Sequence, residues 1–209
     1  MRNEKTRILT TTAVLAAICL LLGLTPIGYI PIPPIEITLM CIPVIIGTIM
    51  LGLRSGLILG FIFGLTSFLT IFIRPSLLSQ FLFSLSPLKT IILVFVPRMI
   101  IPITTWLVYK AFNKETKIRA NVATGVAAFV GSMTNTVLFL GVLYLIFLPE
   151  VDQLSAAFGA APETFFGVLA GIGAINGLPE AAVAIILSIP IIYALSKIKR
   201  KQRKQPTES

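Results

Sequence analysis

The chain has 209 residues, 56% apolar and 12% charged, with a mean hydropathy of +0.97. Soluble domains carry about 25% charged residues, so a soluble enzyme is excluded and lipid must be the solvent for much of the chain. Seventeen Lys and Arg against eight Asp and Glu leave +9; because these cations sit at the ends of apolar runs, they point to a membrane and not to nucleic acid.

Apolar runs fall at 8–24, 37–52, 56–73, 89–110, 120–148 and 164–196. A helix crosses a bilayer with about 20 apolar residues. The expected fold is therefore an all-α membrane protein, a six-transmembrane-helix bundle over residues 1–196 with a basic tail over 197–209. Arg2 to Arg7 before the first run has the look of a secretory signal, but the later spans make it a first anchor. On span one, Ala13 and Ala17 form a flat patch of small residues. The following loop, 25–36, holds four prolines and one charge. Each proline fixes φ and removes a donor, so this loop is expected to be extended and stiff, either a connector or a wall over an outward cavity.

The second run is short and is interrupted by Pro43. Gly52, Gly56, Gly60 and Gly64 recur every fourth residue, which places all four on one side of span three for close helix packing. The loop 74–87 is half apolar and is expected to re-enter the membrane or cover a site. Lys and Arg accumulate on the cytoplasmic side. With the N-terminus inside, fourteen of the seventeen basic residues fall in cytoplasmic segments, so both termini are expected to be cytoplasmic.

An ionisable residue inside a span is functional by default, and two occur, Arg98 and Glu180. Pro97 and Pro102 bracket Arg98. They free the carbonyls of Leu93 and Arg98 from the helix ladder and expose polar backbone near the guanidinium. Asn176 and Glu180, four residues apart, share one face of span six. Span five adds Ser132, Thr134, Asn135 and Thr136 near its middle. Three helices thus present polar groups at similar depth, either as a buried Arg98 to Glu180 pair that fixes packing or as a ligand pocket; the amides and hydroxyls exceed what an ion pair needs. There is no His, no cysteine pair, since Cys19 and Cys41 lie in separate apolar runs, and no Gly followed by Lys. No catalytic residue, metal site, cofactor or phosphate loop is therefore expected, and ATP-driven work requires a partner's ATPase.

The stretches Ile37-Thr-Leu-Met-Cys-Ile-Pro-Val-Ile-Ile-Gly-Thr-Ile-Met-Leu-Gly52, Gly131-Ser-Met-Thr-Asn-Thr136 and Asn176-Gly-Leu-Pro-Glu180 resemble the substrate-binding S components of energy-coupling factor (ECF) vitamin transporters, above all the pantothenate-type subfamily. The resemblance covers nearly the whole chain. It implies a six-helix bundle in a bacterial plasma membrane and a vitamin site near the outer face. It also implies docking onto a membrane-embedded T component that carries two ATPases, with Ala13 and Ala17 matching the small-residue pair that faces the T component. The subunit would topple in the membrane to carry its site inward. Cys41 departs from the pattern, since many relatives are expected to have His there.

On this resemblance Arg98 is expected to bind the vitamin's carboxylate by a forked pair of hydrogen bonds. Asn135, Asn176 and Thr134 would serve its amide and hydroxyls, and Glu180 would accept a hydroxyl or hold Arg98. Pantothenate is the leading substrate, with folate or a pyridine or pyrimidine vitamin as alternatives. A stand-alone secondary transporter is the rival of another class; it would need Glu180 for ion coupling and is expected to show internal repeats, which the two halves lack.

Overall fold

The computed structural model describes residues 2–32, 35–74, 77–112 and 117–204. Its elements are α1 (Arg2–Leu24), β1 (Tyr29–Ile32), β2 (Ile35–Thr38), α2 (Cys41–Leu51), α3 (Leu53–Ile73), α4 (Leu77–Leu85), α5 (Pro87–Phe112), α6 (Lys117–Ile146), α7 (Val151–Ala157) and α8 (Phe165–Lys204). Helix dominates because a backbone in hydrocarbon must satisfy its polar groups within its own segment. Among the described residues, five helices are long and apolar enough to cross a bilayer, at Glu4–Leu24, Leu53–Ile73, Pro87–Phe112, Ala120–Ile146 and Pro162–Lys197. The basic segment that begins at 197 continues α8 as far as Lys204.

The second expected span differs. Its first residues, 37 and 38, end β2, which pairs antiparallel with β1 of the preceding loop, Tyr29 opposite Thr38 and Ile32 opposite Ile35; the proline-rich loop is therefore extended as expected over its two strands, after a 3-10 turn at Pro26–Gly28, and this hairpin sits in an otherwise all-helical fold. The helix begins only at Cys41 and ends at Leu51. Eleven residues rise about 16 Å, roughly half of a 30 Å hydrocarbon core. Pro43 does not interrupt this helix. It lies in the first turn, where a missing N–H costs no intrahelical bond. Gly52 is likewise not part of the packing face of α3. Its φ of +95° places it in the turn between α2 and α3, where its N–H bonds the Thr48 carbonyl at 3.1 Å, a conformation that strains any residue with a Cβ.

The long helices alternate in direction from α3 onward, and α1 runs parallel to α3. Thr12 of α1 donates to Ser55 of α3 at 3.0 Å, and Thr134 of α6 donates to Thr104 of α5 at 3.0 Å. This arrangement gathers Arg54, Lys110 and Lys197 at the end of the bundle that carries α1's start and α8's finish. Gly56, Gly60 and Gly64 carry the α3–α5 contact as expected: a Cβ on Gly60 would lie 2.5 Å from the Arg98 carbonyl, and one on Gly64 2.8 Å from the Phe95 ring.

Two apolar cores result. At the termini end α2 is the axis: Cys41 through Thr48 are all buried, packed by Cys19, Leu59, Ile101, Ala128, Ala184 and Ile192 from the surrounding helices. At the far end Leu82, Leu93, Leu143, Phe147, Leu154 and Phe165 form a second cluster, which draws in α4 and α7. Lys89 and Glu150 close that rim with an ion pair at 2.7 Å.

Gly60→Ala is expected to destabilise the protein by about 1 to 3 kcal/mol, because its Cβ meets backbone that cannot rotate away. Gly141→Ala, where a Cβ meets nothing within 4 Å, should stay within about 0.5 kcal/mol of the parent. Thermal unfolding in detergent compares the two.

Candidate ligand site

Above the first turn of α2 the centre of the bundle is hollow. The cavity has a volume of about 350 Å³, within the range of small-molecule sites. Thr38, Arg98, Asn135, Thr136, Asn176 and Glu180 supply its polar floor, and Leu82, Leu93, Val94, Leu143, Phe158 and Leu169 line its walls. Of the segment 74–87, expected to re-enter the membrane or cover a site, α4 lines the cavity with Leu78, Ser79 and Leu82.

Arg98 is placed in part by Pro97. Pro97 cannot donate to the Leu93 carbonyl, and Arg98 Nη1 donates to that oxygen instead, at 3.3 Å. The guanidinium carbon lies 5.2 Å from the Phe63 ring centroid and 5.0 Å from that of Phe139. These cation–π contacts, from α3 and α6, orient the head without discharging it.

Glu180 is buried and is held by a different set. Thr38 Oγ1 donates to its Oε1 at 2.8 Å and Cys41 Sγ at 3.2 Å, and the Asn135 side chain reaches the same carboxylate. These contacts tie the end of β2 and the start of α2 to α8. The N-terminal end of α2 also carries partial positive charge, which favours a carboxylate there. Among the described residues Arg98 and Glu180 form no ion pair with each other. They share the cavity floor instead.

Asn135 Oδ1 and Asn176 Oδ1 are buried without a hydrogen-bond partner. Buried acceptors are normally satisfied, and both of these belong to residues that line the cavity. Thr134, expected with them, does not line the cavity. One residue of rotation turns its hydroxyl toward α5, where it bonds the Val130 carbonyl at 2.7 Å and Thr104 at 3.0 Å. Thr136 lines the floor in its place.

Ala13 and Ala17 are exposed on α1, outside the cavity and beside the exposed Val14 and Ile18.

Residues 7–192 match the family described as ECF transporter, substrate-specific component. The chain belongs to this family. Among curated proteins, the pantothenic acid transporter PanT of Lactococcus lactis subsp. cremoris is 36% identical over 178 residues, covering 79% of this chain and 81% of that one. The pantothenate transporter PanT of Leuconostoc mesenteroides subsp. mesenteroides is 27% identical over 207 residues, covering 96% and 98%. With its five apolar helices, this S-component family member is a multi-pass protein of the bacterial cell membrane.

The sequence reading missed Thr38, Phe63, Phe139 and Cys41's bond to Glu180. Periodicity groups 136, 139, 140 and 143 on one helical face and leaves 134 off it, but only the packing of α5 shows which face meets the cavity. Thr38, Phe63 and Cys41 carry no such signal, since they come from distant segments.

Glu180→Ala strands the Thr38 hydroxyl and the Cys41 thiol, and should cost about 1 to 3 kcal/mol of stability. Glu180→Gln, which keeps an acceptor, should recover most of it. Unfolding midpoints of the purified variants test the order.

Proposed function

We propose that this protein is the high-affinity pantothenate-binding S component of an ECF-type ABC importer. It passes its vitamin to a T component that carries two ATPases, and it hydrolyses no ATP itself. The observation that carries this reading is the pairing, in one cavity, of a ring-flanked guanidinium with two orphaned amide acceptors. A ligand with an anionic end and hydrogen-bond donors along its length matches this pairing of a cation with amide oxygens. Pantothenate is such a ligand, with a carboxylate at one end and an amide N–H and two hydroxyls along the rest. Two relatives bear the name of pantothenate transporter.

In this reading Arg98 takes the carboxylate, and Asn135 and Asn176 accept from the amide and hydroxyls. Glu180 holds the floor together through Thr38 and Cys41. The half-length α2 counts as the sixth helix of the bundle. Both termini are cytoplasmic, since fourteen of seventeen cations then lie inside, and the cavity opens on the outer side.

Arg98→Lys keeps the charge but loses the fork, and Arg98→Ala loses both. Charge-assisted hydrogen bonds are worth about 1.5 to 3 kcal/mol, so alanine should weaken pantothenate binding by about tenfold to a few hundredfold, with lysine between. Calorimetry with pantothenate and with its alcohol analogue checks the assignment; equal affinity of the wild type for both would remove Arg98 as the anion clamp.

The exposed Ala13/Ala17 patch is the proposed T-component contact. Ala17→Trp should abolish co-purification with the T component and leave pantothenate affinity within a few-fold, because α1 lines no part of the cavity. Parallel loss of both activities would assign the patch to folding instead.

A further inference from the structure

A second cavity, of about 430 Å³, lies between α6 and α8. On α6 it is bounded by Met133, Val137, Gly141 and Tyr144, and on α8 by Phe166, Ala170, Ala174 and Leu178. Among the described residues, no charged side chain lines it. It exists because small residues leave room: a Cβ on Gly141 would meet nothing within 4 Å. Its rim faces outward, with Val137 61%, Phe166 63% and Leu178 55% exposed. Both flanking segments lie inside the apolar spans Ala120–Ile146 and Pro162–Lys197. The groove is therefore continuous with the lipid-facing surface, at a depth where water finds few partners.

Thr136, Leu140 and Leu169 line this groove and also the ligand cavity. The partition between the two spaces is one side chain thick. A leucine with a void on each side forfeits dispersion contacts on both, so a filled groove would stiffen the wall against which a ligand packs.

We propose that the α6–α8 groove seats a phospholipid acyl chain, and that the seated chain supports the ligand cavity through Leu140 and Leu169. The seating stands on the groove alone. The support of ligand binding rests on the pantothenate reading above.

The test uses the full-length protein extracted from membranes in mild detergent. Native mass spectrometry should find phospholipid retained on the wild type and on Gly167→Leu, which adds bulk to α8 outside the groove. Retention should fall several-fold on the double variant Gly141→Leu with Ala174→Leu, whose side chains fill it. Exhaustive delipidation should weaken pantothenate binding by the wild type several-fold, and adding back phosphatidylglycerol should restore it. The filled variant should bind alike in both states. Equal lipid retention by all three proteins would overturn the acyl-chain seat, as would a partner helix or a second copy cross-linking through a cysteine at Phe166. Wild-type affinity that ignores delipidation would overturn the support of the cavity. Should the filled variant not fold, the wild-type delipidation and add-back series still decides the second half. Failure of pantothenate to bind in any state would sink the vitamin assignment while leaving the lipid counts to judge the groove.

Discussion

The half-length of α2 is the constraint from which the rest of the structure follows. A helix that ran the full 37–52 segment and beyond would fill the bundle's centre from end to end. This one starts at Cys41 because the preceding residues pair as β1–β2, and it stops at Gly52, whose positive φ turns the chain into α3. At the termini end its side chains make the core. Beyond its first turn the cavity takes up the axis, enclosed by α3, α5, α6 and α8. Non-helical backbone at such depth is tolerated only where it lines protein or a cavity, and the Thr38 to Met40 stretch does both.

The same break sets the electrostatics. Starting a helix in mid-bundle directs unsatisfied N–H groups toward the hollow, and Glu180 stands at that positive end, accepting from Thr38 and Cys41. Arg98 is stabilised separately, by a carbonyl that Pro97 releases and by the rings of Phe63 and Phe139. The two groups are thus held by different neighbours, and they interact with each other by charge across the cavity floor. The charged and amide groups gather at the floor, and the walls mix apolar side chains with the hydroxyls of Ser67, Thr70, Ser79 and Thr90.

Helix α6 contributes to both cavities, and its periodicity explains how. Asn135, Phe139 and Leu143 turn toward the hollow, Met133, Val137 and Gly141 toward the lipid-side groove, and Thr136 and Leu140 stand between. The proposed acyl chain and the proposed vitamin would press on opposite sides of these residues, so lipid and substrate would meet through direct packing, with no long-range pathway.

The membrane setting, the long helices, the glycine face of α3 and the depth of Arg98, Asn135, Asn176 and Glu180 were legible in the sequence. Each rests on a local rule: hydrocarbon thickness, a four-residue repeat, or the cost of an ionisable group in a span. Pro97 marked the Leu93 carbonyl as free near Arg98, and the structure supplies the bond between them. Three features needed the tertiary structure. The length of α2 depends on a strand pair and a glycine turn that hydropathy does not register. Thr134 yielded to Thr136 because α5 packs on one side of α6 and the hollow lies on the other. The partners of both charges, Thr38 and Cys41 for Glu180, Phe63 and Phe139 for Arg98, come from segments far apart in the chain, and only packing selects which of the many apolar and hydroxyl residues arrive. Sequence specifies what each helix must bury or satisfy; the bundle decides against what.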